Sequence, residues 1–454
     1  MARFKLKESK KELTSYAGLS LIGQCLEAIN IDAVVDGQIP VSQGIKTSDL
    51  VKTTVGLLSI GKSDFEAVEP FREDRFFKKA LDVRKVPGSV WLRQRLDRVS
   101  GRLLEPLDEC SIRLIERTEA PITPHKGFVC LDMDTFVMDQ SGSQKEEVSR
   151  TYQGVDGYTP VAAYLGNEGW CIGLELRPGR WHSSLEMDYF LERLFPRVER
   201  LVAPTQPVLL RKDSGFDSAK LLFAAADEKV RWSALDRRFE YVVKWNPRKQ
   251  NKSAWVEKAE AAGAFVEKRP GKREALMTLS VERAWKKQKR PFRLVIRIVE
   301  RTTTPHGQML LLPEVKLEGW WTSLDEPEET VIERYRDHGT HEQFHSEFKT
   351  DLDLERLPSG KFETNDGLLR MGMLAYNCLR LIGQLGLTGD LAPIRHPAKR
   401  RRLRTVLQEI MYRAAQVIHK AREWWLDLGH ASPVAKVFAY LQERLVVQPG
   451  FASG

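Results

Sequence analysis

The sequence predicts a mixed α/β protein whose central layer is interrupted by a β-rich insertion and flanked by helical regions. Three observations lead to this prediction. After residue 126, short apolar runs bounded by turn residues alternate with amphipathic helical patterns. Between 229 and 318, short alternating or apolar runs are divided by Gly, Pro and basic residues. Towards both ends of the chain, apolar residues recur at helical spacing.

These changes of pattern divide the chain into five predicted regions. They are a helical region at 1–125, the first part of the α/β layer at 126–228, the β-rich insertion at 229–318, the second part of the α/β layer at 319–395 and a basic helical region at 396–454. We therefore expect two segments that are distant in sequence to share one α/β layer.

The first region contains several short helical patterns. Helices are predicted over 15–31, 47–61, 63–72, 74–81 and, as a Ser-capped basic helix followed by a longer one, over 86–118. Short helices that end in a basic helix suit a DNA-reading unit of the helix-turn-helix kind. A small all-helical packing module has the same pattern, so the sequence leaves both interpretations open.

The later elements follow in order along the chain. Buried strands are predicted in GFVCLDMDT (127–135), VAAYLGN (161–167), GWCIGLELRPG (169–179) and PVLLRKDSGF (207–216), with helices over 184–202 and 218–228. The strand-like runs of the insertion are 239–245, 263–269, 274–285, 291–301 and 308–317. Helical patterns then cover 333–351, 365–385 and 400–425.

The composition excludes several classes of protein. Of the 454 residues, 42% are hydrophobic and 29% are charged, as in ordinary well-packed soluble chains. No run approaches the length of a membrane-spanning helix, and the start lacks a secretory pattern, so we expect a cytoplasmic protein with no membrane partner. The five cysteines are scattered without a CxxC pair, which fits a reducing compartment and argues against a structural zinc site.

The net charge of +9 favours a polyanionic partner such as nucleic acid. Basic runs at 245–258, 267–273 and 283–293 lie close together and are interleaved with tryptophan, and a fourth run spans 396–404. Such runs suit phosphate contacts combined with base stacking. Solvated loops explain any single run equally well.

Acidic residues stand at the ends of two predicted buried strands. Asp132 and Asp134 end the first strand, and Asp213 ends a later one. An unpaired charge there is costly, although a strand-end aspartate followed by Ser-Gly also suits a turn cap. Together with Glu342 they make a set of carboxylates without His or Cys ligands, which suits Mg²⁺ or Mn²⁺. Two such ions support phosphodiester chemistry.

The segment ERYRDHGTHEQFHSEFKTD (333–351) reads as one helix with a polar stripe. At about 100° per residue, five of its side chains fall within an arc of roughly 80°. Phe344 and Phe348 point to the other side, and Gly339 predicts a local kink. A solvated face explains such a stripe in many charged helices, so the rest of the chain must decide its meaning. The stripe consists of Tyr335, His338, Glu342, His345 and Lys349.

These acids and this helix together resemble the DDE transposases of bacterial insertion sequences. Members carry a Y-x2-R-x3-E-x6-K signature on the helix that delivers the catalytic glutamate. Tyr335, Glu342 and Lys349 match three of its positions, and His338 stands where the family has arginine. LDMDT and LLRKDSGF resemble the family's two aspartate strands, and LPSGKFETNDGLLRMGMLAYNCLR resembles its continuation. The likeness extends from about residue 15 to 390 and implies a ribonuclease-H-like mixed-sheet core, with 1–125 as a DNA-binding or dimerisation region.

Spacing does not decide whether Asp132 or Asp134 is the first catalytic aspartate, because the two share a strand face. In the family the catalytic aspartate stands just before a turn that carries Ser or Thr. The resemblance therefore favours Asp134, which precedes Thr135.

For each of the other two catalytic acids, a second acidic residue nearby in the sequence is an alternative. Asp213 ends its strand, whereas Asp217 already begins a helix. Glu347 lies roughly 120° or more from Glu342 round the helix, so it does not share the polar stripe. We therefore expect Asp213 and Glu342 to complete the set.

The resemblance implies a transposase that binds double-stranded DNA at terminal inverted repeats as a homodimer in a synaptic complex. Asp134, Asp213 and Glu342 would hold two Mg²⁺ ions, with Mn²⁺ as a substitute, while water nicks the end. The freed 3′-OH would then attack the other strand, giving hairpin ends, or the target DNA. We expect a bacterial cytoplasmic protein that is nucleoid-associated when bound. The predicted DNA contacts are Tyr335, Arg336, His338, His345 and Lys349, with Trp320 and Trp321 either stacking on a flipped base or packing in the core.

Two rival functions are consistent with the same residues. A DNA-binding descendant without activity is opposed by the intact acids and favoured by His338, because a mostly neutral histidine lacks arginine's permanent charge and bidentate fork. A metal-dependent nuclease on the same fold would cut DNA without terminal repeats and without strand transfer. A small-molecule enzyme is the least expected, since no nucleotide-binding glycine motif is present.

Overall fold

The computed structural model describes residues 4–304, 306–393 and 396–446, apart from the side chains of His338, Thr340 and His341. The N-terminal region is mainly helical, as its apolar spacing predicts. Its elements are β1 (Glu12–Thr14), α1 (Leu19–Ala28), α2 (Ile31–Gln38), α3 (Thr47–Leu58), a 3₁₀ turn (Phe65–Phe71), α4 (Arg75–Ala80) and α5 (Ser89–Arg117).

The first part of the α/β layer contains every strand and helix predicted for it. Its elements are β2 (Val129–Thr135), β3 (Met138–Asp139), β4 (Ser149–Arg150), β5 (Asp156–Tyr158), β6 (Val161–Leu165), β7 (Trp170–Glu175), α6 (Met187–Leu201), β8 (Val208–Lys212), α7 (Ala219–Ala234) and β9 (Phe239–Lys244). The apolar runs form buried strands because both faces of the sheet are covered.

The insertion consists of one helix and long strands, and the chain then returns to helices. The insertion contains α8 (Lys252–Ala261), β10 (Phe265–Arg269), β11 (Lys272–Trp285), β12 (Gln288–Thr303) and β13 (Met309–Thr322). The following elements are α9 (Glu328–Arg336), α10 (His341–Ser346), α11 (Phe362–Leu387), α12 (Leu403–Val406), β14 (Ala415–Lys420), β15 (Glu423–Asp427) and α13 (Ala435–Leu445).

One large sheet joins the α/β layer to the insertion. Among the described residues its strand order is β10-β11-β12-β13-β9-β8-β2-β6-β7. β2, β8 and β9 run parallel, and the other neighbouring strands are antiparallel. β9, which the sequence pattern assigned to the insertion, pairs along its whole length with β8. The predicted mixed α/β fold class is confirmed.

Helices cover both faces of this sheet. On one face, Val331 and Ile332 of α9 pack on apolar side chains of β8, β9, β12 and β13. On the other side of the layer, α11 packs against α5 and β7 in the main core. The position of α9 brings the segment that follows it to the edge where β2 and β8 end. Within the described residues, no helix combines the length and apolarity needed to span a bilayer.

Two predictions about helices are wrong. The segment 86–118 forms one 29-residue helix, α5, which continues through the buried Pro106. A proline disfavours a helix interior, but tertiary packing along α11 outweighs that preference here. The pattern had suggested two separate helices.

The helix predicted over 400–425 is also wrong, because the chain turns into a hairpin after Met411. α12 and a π-helical turn (Leu407–Met411) are followed by the antiparallel strands β14 and β15. Ala421 and Arg422, at φ of 52° and 69°, form the tight turn between them. β14 pairs with β1, so a strand just over four hundred residues earlier selects the extended form.

Candidate active site at the ends of two parallel strands

The register of β2 and β8 brings two of the predicted acids together. Asp132 lies opposite Arg211, and Met133 lies opposite Lys212. The pairing ends there, and Asp134 and Asp213 are the next residues along the two chains, where neighbouring backbones are about 4.8 Å apart. Both side chains project from the face that also carries Asp132, because side chains alternate along a strand.

Asp132 is engaged in a structural ion pair. Its carboxylate accepts two hydrogen bonds from Arg211, at 2.6 Å from Nε and 2.7 Å from Nη2. Asp132 is 5% exposed, and Arg211 also donates to the carbonyl of Arg334 in α9. Burial alone would lower the pKa of Arg211, but the charge of Asp132 and its hydrogen bonds raise that pKa above its ordinary value. This pairing distinguishes Asp132 from Asp134.

Asp134 and Asp213 are each held by the turn that follows them. Asp134 Oδ1 accepts from the backbone N–H of Thr135 at 2.8 Å. Asp213 Oδ1 accepts from the N–H of Gly215 at 2.9 Å and caps the 3₁₀ turn Ser214–Phe216. The turn-cap role considered for Asp213 is therefore present, and it coexists with the position of its carboxylate beside Asp134.

The negative charges of Asp134 and Asp213 help to raise the pKa of two tyrosines. Burial raises the pKa of Tyr335, and the carboxylates of Asp213 and Asp134 raise it further. Partial desolvation followed by the charges of Asp134 and Asp213 raises the pKa of Tyr152 as well. Tyr152 lies in the loop after β4, and sequence reasoning missed it because no spacing links that loop to the strand ends.

The segment 333–351 is not one uniform helix. α9 is followed by a 3₁₀ turn (Asp337–Thr340), then by α10, then by a π-helical turn (Glu347–Asp351). The predicted kink at Gly339 is confirmed, since glycine weakens a helix and this residue lies in the 3₁₀ turn. The stripe geometry, which assumed 3.6 residues per turn throughout, is wrong across this segment. The side chain of His338 lies outside the described residues.

His345 docks α10 against the end of β2. Its ring stacks on Phe136 with centroids 4.4 Å apart, and its Nδ1 lies 3.9 Å from Asp134 Oδ2. His345 is only 7% exposed. Glu342 lies one helical turn earlier on α10, at the i, i+3 spacing that places two residues on one face, and its side chain is exposed.

The donor set suits a hard divalent cation, although the ligands are not yet gathered around one point. Asp134, Asp213 and Glu342 offer carboxylate oxygens, which Mg²⁺ prefers. Among the described residues, no group of three acidic, histidine or cysteine side chains is close enough to hold a metal ion. The exposed side chain of Glu342 would have to turn towards the aspartate pair.

The acids that the sequence set aside have structural partners. Glu347 is fully buried and pairs with Arg380 of α11. Asp217 accepts from Trp321 Nε1 at 2.9 Å and from the N–H of Asn246 at 2.8 Å. Phe344 and Phe348 are buried, as predicted.

Lys349 is anchored beside the same strand end. Its ammonium donates to the carbonyl of Val137 at 2.9 Å and pairs with Glu355 at 2.9 Å. Burial lowers its pKa.

Arg336, by contrast, is exposed. Arg334 forms a two-bond ion pair with Glu326.

The paired tryptophans are packed in the core. Trp320 and Trp321 are each 1% exposed. The ammonium of Lys244 lies 4.8 Å from the Trp320 ring and 5.4 Å from that of Tyr335. Arg283 lies 5.0 Å from the Trp321 ring. Their arrangement corresponds to the core-packing alternative.

The turn between β11 and β12 brings a predicted basic run towards Asp213. Arg283 is 3.9 Å from Asp217, four residues after Asp213. Lys220, at the start of α7, lies 5.9 Å from the ring of Trp285, which is 36% exposed. Lys286, Lys287 and Lys289 are exposed around this tip.

Comparison with known proteins places the chain in a family. One solved structure, a cryo-EM piggyBac transposase synaptic complex with hairpin DNA, is similar at a TM-score of 0.43 and 12% identity, covering 98% of this chain and 89% of that one. No curated protein matches. The family model described as "Transposase DDE domain group 1" matches residues 2–449. Because that match spans nearly the whole sequence, the chain belongs to the DDE transposase family and is a DNA transposase, an enzyme of DNA cleavage and transesterification.

Proposed function

We propose that this transposase binds the terminal inverted repeats of its own element, cuts them with Asp134, Asp213 and Glu342, and transfers the freed 3′-OH in a cut-and-paste reaction. One observation supports the proposal: the register of β2 and β8 ends directly before Asp134 and Asp213, and His345 of α10 lies 3.9 Å from Asp134. Asp132 is excluded from the set because its carboxylate neutralises a buried arginine.

The proposed cofactor is Mg²⁺, as two ions, with Mn²⁺ as a substitute. The family is dependent on divalent metal, and the all-oxygen donor set favours these hard cations. Bound ions would supply activation of the attacking oxygen and stabilisation of the leaving oxygen. The protein's part is to hold two carboxylates at adjacent strand ends and to present a third from α10.

Several side chains near the acids are proposed to contact the DNA. Arg336 is exposed next to the 3₁₀ turn and offers a bidentate phosphate contact, which would offset the family arginine that His338 replaces. Tyr335 and Lys349 are proposed to reach the cleaved strand, and Lys349 would have to release Glu355 to do so. For His345, Trp320 and Trp321, burial supports a packing role before DNA binds.

The tip of the β11–β12 hairpin is proposed as a further part of the DNA surface. It presents exposed lysines around the partly exposed Trp285, beside the turn that follows Asp213. Cations next to an aromatic ring suit a backbone contact combined with stacking. The proposal also includes a homodimer in the synaptic complex, hairpin ends and a bacterial, nucleoid-associated location. These three parts rest on the family resemblance.

The first test is excision in cells of a marker flanked by the repeats found around the native gene. We expect excision by the wild type and none by Glu342→Gln, which keeps the shape but removes the charge. Glu329→Gln is the matched control, since Glu329 is exposed on α9, away from the acids, and this variant should excise like the wild type. Binding of the end DNA should be equal in all three.

Other outcomes point to other functions. Tight end-binding without excision by the wild type would favour a DNA-binding descendant and make His338→Arg the next variant. Cutting that needs no terminal repeats and yields no strand transfer would favour a nuclease. Normal excision by Glu342→Gln would remove Glu342 from the proposed set.

A further inference from the structure

The basic run at 396–404 holds the segment that carries Glu342. Arg402 donates to Asp351 from Nε at 3.0 Å and from Nη2 at 3.3 Å. The same Nη2 donates to Ser346 Oγ at 3.0 Å. One guanidinium therefore joins the last residue of α10 to the last residue of the π-helical turn that follows it.

Backbone groups next to Arg402 make matching contacts. The N–H of Leu403 donates to Glu347 Oε1 at 3.1 Å, and the N–H of Arg404 donates to Asp351 Oδ2 at 3.1 Å. These N–H groups belong to the first turn of α12, where a helix leaves its donors unsatisfied. The acids of the π-helical turn thus cap α12, and the two short elements stabilise each other.

Neighbouring arginines extend the same contact. Arg380 of α11 pairs with Glu347 and also donates to the carbonyl of Arg401 at 2.7 Å. The guanidinium of Arg400 lies 4.7 Å from the ring of Phe344, which is part of α10. Arg400, Arg401 and Arg402 therefore all contact other parts of the protein, while the side chain of Arg402 stays 39% exposed.

The length of α10 makes these contacts decisive for its orientation. α10 has six residues, the π-helical turn has five, and the 3₁₀ turn at Gly339 separates both from α9. Helices this short have little stability of their own, so tertiary contacts set their position. On one side α10 is held by His345 against Phe136, and on the other by Arg402.

We propose that Arg402 is a positioning residue, which fixes the orientation of α10 and thereby places Glu342 where its side chain can turn towards Asp134 and Asp213. The inference rests on the metal-binding role proposed above for Glu342. It gives the basic run a role in organising the active site rather than in binding DNA. The side-chain hydrogen bonds of Arg402 go to Asp351 and Ser346, not to the three proposed metal ligands.

The test compares Arg402→Gln with Arg402→Lys and with Arg404→Gln. The Arg404 side chain is exposed and, among the described residues, forms no hydrogen bond or ion pair, so its variant removes the same charge without the contact. Hydrogen exchange of the whole protein is followed by mass spectrometry. Mn²⁺ affinity is measured by calorimetry, and DNA-end affinity is measured without metal.

We expect Arg402→Gln to speed exchange in 341–351 and to weaken Mn²⁺ binding by about tenfold, the lower end of the loss seen when a residue that orients a metal ligand is removed. Arg402→Lys should recover part of both effects, because it keeps the charge but not the fork. Arg404→Gln should match the wild type. DNA-end affinity should be unchanged in all variants.

Unchanged exchange in 341–351 for Arg402→Gln would overturn the proposal, and so would faster exchange with wild-type Mn²⁺ affinity. Equal losses of DNA affinity in Arg402→Gln and Arg404→Gln would instead make the run a DNA-binding surface. If the wild type binds no Mn²⁺, the proposed metal role of Glu342 fails, and the positioning role fails with it. Faster exchange in 341–351 of Arg402→Gln would then show only that Arg402 stabilises the structure of this segment.

Discussion

Asp132 and Arg211 form a buried two-bond ion pair across β2 and β8, and each lies two residues before one of the aspartates Asp134 and Asp213. Arg211 neutralises Asp132, the first acid of the LDMDT sequence. Asp134, the second acid, lies two residues further along β2, near its end. Arg211 also holds the carbonyl of Arg334, so the same contact ties α9 to the sheet.

Asp132 and Asp134 should therefore behave differently when replaced. Asp132→Ala should lower the free energy of unfolding by about 3–5 kcal/mol, because it leaves Arg211 charged and buried without its partner. Asp134→Ala should lower that free energy by less, about 1 kcal/mol, because it removes a hydrogen bond from the N–H of Thr135 rather than the partner of a buried arginine. Denaturant unfolding in the absence of divalent metal measures both. Excision should be lost in Asp134→Ala even where the protein is fully folded.

Lys212 lies between these residues on the opposite face of β8, and replacing it should stabilise the protein. It is fully buried, its ammonium has no hydrogen-bond partner among the described residues, and burial lowers its pKa to about 7. Lys212→Met keeps the length and removes the desolvated amine. We expect a higher Tm at neutral pH by thermal unfolding. A lower Tm would mean that the amine has a partner that the folded chain alone does not provide.

Glu318 should make stability depend on pH in acid. Burial alone would raise its pKa, but Lys244 and Lys316 lower it to about 2. Since the folded pKa lies below the unfolded value, this stabilisation is present above about pH 4.5. It is lost as the pH falls towards 2. Glu318→Gln should unfold more easily at pH 7 than the wild type, and the difference should shrink below pH 4.

The measurement is Tm as a function of pH for both proteins. Lys244 is in β9 and Glu318 is in β13, so the pair joins the insertion to the α/β layer. Glu314→Gln, on the same strand but more exposed, is the control. A constant difference between Glu318→Gln and the wild type from pH 7 to pH 3 would contradict the argument.

The tip of the β11–β12 hairpin should contribute electrostatic affinity for DNA. Replacing Lys286 and Lys287 by Gln should weaken binding at low salt and reduce the slope of log affinity against log salt by about 2, roughly 1 for each phosphate contact. Affinity is measured over a range of salt concentrations. The double variant of the exposed Lys420 and Lys436, on β14 and α13, removes the same charge elsewhere. Equal slopes for the two double variants would rule out a specific role for the tip.

Much of the site was accessible from residue patterns. The strands that end in Asp134 and Asp213 were predicted because apolar runs bounded by turns form buried strands whatever surrounds them. The kink at Gly339 followed from local propensity. The family signature predicted Glu342 as the third acid, and the angle round the helix set aside Glu347, which the structure buries against Arg380. These features depend on local sequence, so a local reading finds them.

Tertiary structure alone decided the remaining questions, because each depends on partners distant in sequence. Asp132 and Asp134 are equivalent by periodicity, and only the pairing of β2 with β8 gives one of them Arg211. The segment 400–425 has a helical pattern, yet β1 recruits part of it into a sheet. Its arginines look like a DNA-binding run, yet Asp351 is within reach only after folding. The sequence by itself determined which acids are candidates for the site, and long-range packing determined which acids form buried ion pairs.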